Sequence, residues 1–159
     1  MRSPKLEIRS EIEIDAPAET VWAVLTDFAS FPEWNPFIRR ISGPLSVGSR
    51  LNVFLGASGT RGMRFRPTVM SVVPNRELRW LGRLGIPGLF DGEHIFELAP
   101  AGRDRTQFVQ REQFRGLLLP VLRRSLVRDA RRGFDEMNAA LRARAAGTPS
   151  QRTSSNAKA

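Results

Sequence analysis

Phe28-Ala29-Ser30-Phe31-Pro32-Glu33-Trp34-Asn35-Pro36-Phe37 is the stretch on which the reading of the chain turns. Four aromatic side chains and two prolines fall within these ten positions. Each proline fixes its own φ and pushes the residue before it out of the α region. Asn35 is therefore expected to be extended, and the chain to change direction at Trp34-Asn35-Pro36. A large amphipathic ring held at a stiff corner serves either as a core plug or as the wall of a pocket.

The segments on either side of this corner differ in kind. Before it, Leu6, Ile8, Ile12 and Ile14 alternate with Glu7, Arg9, Glu11 and Glu13, the pattern of a half-buried strand with one wet face. Asp15-Ala16-Pro17 offers a cap and an early helical proline. Val21, Val24, Leu25 and Phe28 follow at helical spacing, and a second short helix is expected over 28–33. After the corner, strands are expected over 37–42, 50–55, 63–73, 77–84, 93–98 and 106–114. Glycine- and proline-containing breaks separate them, and the short connections favour an antiparallel meander. Pro67 lies inside one of these patterns and points to an edge or bulge. Gly116-Leu117-Leu118-Leu119-Pro120 ends the last strand, and a long helix is expected over 120–144. Its apolar face carries Leu122, Leu126, Phe134, Met137 and Leu141. The domain is read as 1–146, with 147–159 a flexible tail.

The expected order is one strand, two short helices, six strands and one long helix. An antiparallel sheet with one wet face must cover its other face, and only the long helix is large enough to do so. A bent sheet closing on one helix leaves a space that either fills with side chains or admits a ligand. The fold class is α+β: a curved seven-stranded antiparallel sheet wrapped around the C-terminal helix.

Composition narrows the function. The 159 residues are 41% hydrophobic and 26% charged, which suits one globular domain. Without cysteine there is no disulfide, thiolate metal site or cysteine nucleophile, and a single histidine makes no credible metal centre, so no metal and no cofactor are expected. No leader peptide is visible, and no apolar run is long enough to span a bilayer. The expectation is a cytoplasmic protein, monomer or homodimer, with at most transient membrane contact. From Pro120 onward nine Arg and Lys face three acids, so that segment holds +6 of the formal net charge of +9. The arginine-rich helix face allows contact with an anionic surface or nucleic acid. Against this, Arg131–Asp135 and Arg132–Glu136 are spaced to pair within the helix, and no nucleic-acid-binding module is recognisable. The loop Gly56-Ala57-Ser58-Gly59-Thr60-Arg61-Gly62 lacks the ending of a phosphate loop and reads as a mobile hairpin loop at a pocket mouth.

Two motifs carry a resemblance. Ile14-Asp15-Ala16-Pro17-Ala18-Glu19-Thr20-Val21-Trp22, followed by Phe31-Pro32-Glu33-Trp34-Asn35-Pro36-Phe37, resembles the opening of the START-like, helix-grip superfamily of SRPBCC domains. The nearest group is the one described as polyketide cyclase/dehydrase and lipid transport. Leu78-Arg79-Trp80, Gly92-Glu93-His94-Ile95-Phe96 and Glu112-Gln113-Phe114-Arg115-Gly116 are similar to that group's later strands. The resemblance implies a helix-grip fold, and a function as a binder, a transporter or a cyclase.

Strand parity supplies the candidate residues. Phe90, Gly92, His94, Phe96 and Leu98 share one face. So do Phe108, Gln110, Glu112 and Phe114 on the next strand, and Leu78, Trp80 and Leu84 on the one before. Apolar walls with a few placed polar groups are how ligand sites are built. The candidate ligand contacts are Trp34, Asn35, Phe54, Phe65, Trp80, Leu84, Phe90, His94, Phe96, Gln110, Glu112, Phe114, Leu118 and Leu122. His94 and Glu112 are the candidate acid–base pair of a cyclase or dehydratase. The bland alternatives stay open: His94 and Glu112 satisfying each other across the sheet, Asn35 serving the Pro36 turn, and Trp34 and Trp80 as core. The expected function is binding of a small hydrophobic or amphipathic molecule such as a lipid, polyketide or isoprenoid-like compound.

Overall fold

The computed structural model describes residues 2–147, so the expected tail, apart from its first residue Gly147, lies outside the described residues. The elements are β1 (Lys5–Ile14), α1 (Ala18–Thr26), a 3-10 turn (Phe28–Ser30), α2 (Phe31–Trp34), β2 (Ile38–Ser42), β3 (Asn52–Leu55), β4 (Met63–Phe65), β5 (Thr68–Val73), β6 (Glu77–Arg83), β7 (Asp91–Gly102), β8 (Arg105–Arg115) and α3 (Leu119–Ala146). They form an α+β, helix-grip-like fold with a large antiparallel sheet and a long C-terminal helix.

The single seven-stranded sheet is a misreading. Among the described residues eight strands form two sheets, ordered β1-β8-β7-β6-β5 and β2-β3-β4. The segment expected as one strand over 63–73 breaks at Arg66-Pro67. Pro67 has no N–H to continue a ladder. Its carbonyl accepts from Leu51 N (2.9 Å) instead, and Val69 exchanges bonds with Gly48 and Ser49 (both 2.8 Å). An isolated bridge, Arg50 with Thr68, joins the two sheets at this crossing. Pro100, read as a break, lies within β7, where the ladder to β8 shifts register between Pro100 and Gly102. Asp15 does not cap α1; Pro17 holds the cap position and Asp15 pairs with Arg105 at 3.1 Å.

The inner face of the large sheet is a set of rows fixed by register. Leu6, Phe114, Gly92 and Gly82 form the first. Ile8, Glu112, His94, Trp80 and Val69 form the second. Ser10, Gln110, Phe96 and Leu78 form the third. Side chains two apart on a strand share a face, so these rows lie side by side. The later rows are closed by the second half of α3, where Gly133, Phe134, Met137, Asn138, Leu141 and Ala145 are buried. Gly133 permits the close approach: a Cβ there would lie 2.2 Å from Cδ2 of Phe37. The rings of Phe37 and Phe134 then meet edge to face at 5.6 Å.

Candidate functional site

The first half of α3 behaves differently. From Pro120 to Ala130 no residue is buried, and Leu122, Leu126 and Ala130 are only half-buried. Opposite this stretch the first row of the sheet presents Gly82 and Gly92. With no side chain at either position and the helix standing off, a cavity of about 500 Å³ opens. Phe65, Phe90, Phe114, Leu55, Leu126 and Ala130 supply apolar wall, and Arg50, Arg64, Arg66 and Arg83 also line it. The Gly56–Gly62 loop forms one side. It is held in place, since Arg39 Nη2 donates to the carbonyls of Gly56, Ala57 and Thr60 (3.1, 2.9 and 2.9 Å). Ser58 Oγ donates to Glu136 at 2.7 Å, which ties the loop to α3.

Glu112 is where the cavity meets the polar interior. It lines the cavity, and its side chain is 18% exposed. One carboxylate oxygen lies over Gly92, where a Cβ would approach it to 2.8 Å. The other is 3.4 Å from Nδ1 of His94, which is 1% exposed. Behind Glu112, His94 packs among Trp80, Phe96 and Phe134, with ring centroids 5.3, 4.4 and 5.2 Å away. Its Nε2 meets Gln110 Oε1 at 3.1 Å. Gln110 Nε2 donates to Asn138 Oδ1 at 2.9 Å, and Asn138 Nδ2 donates to Ser10 Oγ at 3.0 Å. The arrangement can offer a carboxyl group to a ligand from a mostly apolar wall, with an imidazole behind it. Among the described residues no group of three His, Cys, Asp or Glu is placed to hold a metal ion.

A family model described as polyketide cyclase/dehydrase and lipid transport matches residues 5–145. The chain belongs to that family. A search of curated proteins finds no match. Solved structures of similar fold include an aromatase/cyclase from Streptomyces sp. R1128, with a TM-score of 0.73 at 15% identity, covering 89% of this chain and 94% of that one. A START superfamily protein from Mycobacterium smegmatis scores 0.67 at 22% identity, covering 87% and 96%. Norcoclaurine synthase from Thalictrum flavum, in complex with dopamine and hydroxybenzaldehyde, scores 0.67 at 12% identity, covering 89% and 87%. At these identities the likeness is one of fold.

Within this member of the cyclase/dehydrase and lipid-transport family, the sequence-derived candidates divide into three groups. Phe65, Leu84, Phe90, Glu112 and Phe114 lie on the cavity wall. Trp80, His94, Phe96 and Gln110 are buried in the rows behind it. The remaining five lie elsewhere. Trp34 packs on Phe31 with centroids 5.1 Å apart. It sits at the far end of α3, where Glu33 pairs with Arg144 at 2.9 Å. That is roughly 20 Å along the helix from Ala130, at 1.5 Å per residue. Asn35 is buried and its Oδ1 accepts from Phe37 N and Ile38 N (3.0 and 2.9 Å), which serves the turn. Phe54 lies under the guanidinium groups of Arg39 and Arg64. Leu118 is the N-cap of α3, and Leu122 is half-buried one turn before Leu126. Sequence reasoning omitted the arginines of the lining, as well as Ser10 and Asn138. Gly82 and Gly92 were a usable signal, because glycine inside a strand marks a close approach or an open space.

On the outer surface of α3, Arg128 pairs with Asp129 (2.9 Å) and Arg132 reaches Glu136 (3.8 Å). The expected Arg131–Asp135 pair does not form among the described residues; Asp135 accepts from Ser10 instead. No described helix is long and apolar enough to cross a membrane.

Proposed function

We propose that this protein binds a small amphipathic molecule in the cavity under the first half of α3. The apolar body lies against Phe65, Phe90, Phe114 and Leu126. Its polar end is met by Glu112 from within or by the arginines of the lining. The supporting observation is the cavity itself: about 500 Å³, mostly apolar, with Glu112 in its lining. Small-molecule sites have this size and make-up. Apolar burial supplies the drive, about 25 cal/mol per Å² before the costs of ordering the ligand. The test is organic extraction of the purified protein followed by mass spectrometry. A stoichiometric lipid, polyketide or isoprenoid-like compound is the expected result. An empty extract, with no saturable binding of any acyl or aromatic amphipath, contradicts the proposal.

A second reading rests on the Glu112–His94 pair. A carboxyl group at the wall of an apolar site, backed by an imidazole 3.4 Å away, is equipped for general acid–base chemistry. Glu112 would remove a proton from carbon next to a ketone, or protonate a departing hydroxyl during ring closure. His94 would hold the proton between steps. In this reading Glu112→Gln abolishes turnover of a poly-ketone substrate and leaves binding intact. Unchanged turnover in Glu112→Gln rules it out.

A further inference from the structure

We infer that Asp135, on the solvent side of α3, fixes the tautomer of buried His94 through a one-way chain of four hydrogen bonds. Asp135, Ser10, Asn138 and Gln110 are then positioning residues for the Glu112–His94 pair. The inference rests on the reading of that pair as the polar feature of the cavity wall.

The direction follows from donor and acceptor chemistry and does not depend on how either amide is drawn. A carboxylate only accepts, so Ser10 must give its single hydroxyl hydrogen to Asp135. Ser10 Oγ is then left to accept from Asn138, which turns the NH₂ of Asn138 toward β1 and its carbonyl toward β8. That carbonyl accepts from the NH₂ of Gln110, so the carbonyl of Gln110 faces His94. An amide carbonyl cannot donate, and Nε2 of His94 must therefore carry a hydrogen. Gln110 and Asn138 are 0% and 2% exposed, so neither can replace a lost partner with bulk solvent. Reversing the chain would bring Ser10 Oγ against an Asp135 oxygen with no proton between them.

The consequence appears at the other ring nitrogen. With Nε2 hydrogen-bearing, Nδ1 faces Glu112 either as a lone pair or as the second N–H of an imidazolium. The chain therefore decides which ring nitrogen faces Glu112 across the 3.4 Å gap. The opposite tautomer would leave Nδ1 carrying a hydrogen toward Glu112, with no lone pair there to accept one. The chain from Asp135 thus reserves Nδ1, the ring nitrogen facing Glu112, for proton exchange with that carboxyl group.

His94 is the only histidine in the sequence, so its ring nitrogens can be observed without ambiguity. The experiment is a long-range ¹H–¹⁵N correlation spectrum of the ¹⁵N-labelled protein at neutral pH, with Asp135→Asn and Ser10→Ala alongside. Both substitutions fall toward the surface end of the chain, and the amide spectrum checks that each variant is folded. In the wild type, hydrogen is expected on Nε2, with or without a second on Nδ1. In Asp135→Asn the new amide can donate, and in Ser10→Ala the constraint is gone; in both, a signal for the Nδ1–H tautomer is expected to appear. Glu136→Gln removes the same charge one residue further on and is expected to keep the wild-type pattern. A wild type with hydrogen on Nδ1 alone overturns the inference, as does an unchanged pattern in both chain variants. The readout needs no ligand and no turnover. It can therefore fail while ligand binding stands, and binding can fail while the tautomer assignment stands.

Discussion

The two ends of α3 cover the same sheet face with opposite results. Over its second half, Phe134, Met137 and Leu141 are buried against the sheet and Gly133 lets the backbone ride over Phe37. From residue 120 to residue 130 nothing is buried, and the facing row offers two glycines in place of side chains. One end is filled by buried side chains. The other leaves about 500 Å³ open, with a carboxylate at the boundary. The difference shows how one sheet and one helix can hold both a core and a site. Stability resides where large side chains face each other. Space is left open where glycines face a helix stretch that buries no side chain.

Substitutions can break or sharpen this contrast. Phe134→Ala, at the packed end, is expected to remove about 3–5 kcal/mol of stability by urea unfolding. Leu126→Ala, at the open end, should remove about 1 kcal/mol or less, because the cavity side of Leu126 has little packing to lose. Equal losses would mean that the two ends do not differ. Gly92→Ala places a Cβ 2.8 Å from Glu112 Oε1 and must shift the carboxylate. If the acid–base reading holds, steady-state kinetics should show a loss on the order of 10²-fold in Glu112-dependent turnover, the usual result of a misplaced catalytic group. Gly133→Ala is expected to lower stability by about 1–3 kcal/mol through overpacking against Phe37. A gain, the usual sign for glycine to alanine at an unstrained site, would show that the close approach is not needed. Glu33→Ala removes a largely exposed ion pair to Arg144 and should cost about 0.5 kcal/mol or less by the same unfolding assay.

Much of this contrast could be read in the sequence, because strand parity and helix period are local. Parity alone put Phe90, Glu112 and Phe114 on the face that turned out to line the cavity. It also put His94, Gln110 and Phe96 on the same face, but it could not say how deep along the strand the cavity ends. That depth depends on where α3 lifts away. The split of the sheet at Pro67 was not legible either. Whether a proline in a strand makes a bulge or a break depends on what the distant segment at Ser49–Leu51 pairs with. Trp34 was placed at a stiff corner correctly, since Asn35 is extended (φ −90°, ψ 110°). Which end of α3 that corner touches is fixed by a contact 111 residues away, Glu33 with Arg144. Ser10 and Asn138 carry no local signal that marks them as partners. Only the pairing of β1 with β8 and the docking of α3 bring them onto one hydrogen-bonded line with Gln110.

The central claim, that the space under the first half of α3 is a ligand site, is tested most directly from the helix side. Ala130→Trp fills the cavity from a half-buried helix position. The measurement is a fluorescence titration of the wild type and this variant with anilinonaphthalene sulfonate, an aromatic amphipath with an anionic end. Saturable one-to-one binding by the wild type, lost in a variant that unfolds at the same urea concentration, is the predicted result. Equal binding by both proteins, or none by the wild type with any amphipath tried, would contradict it.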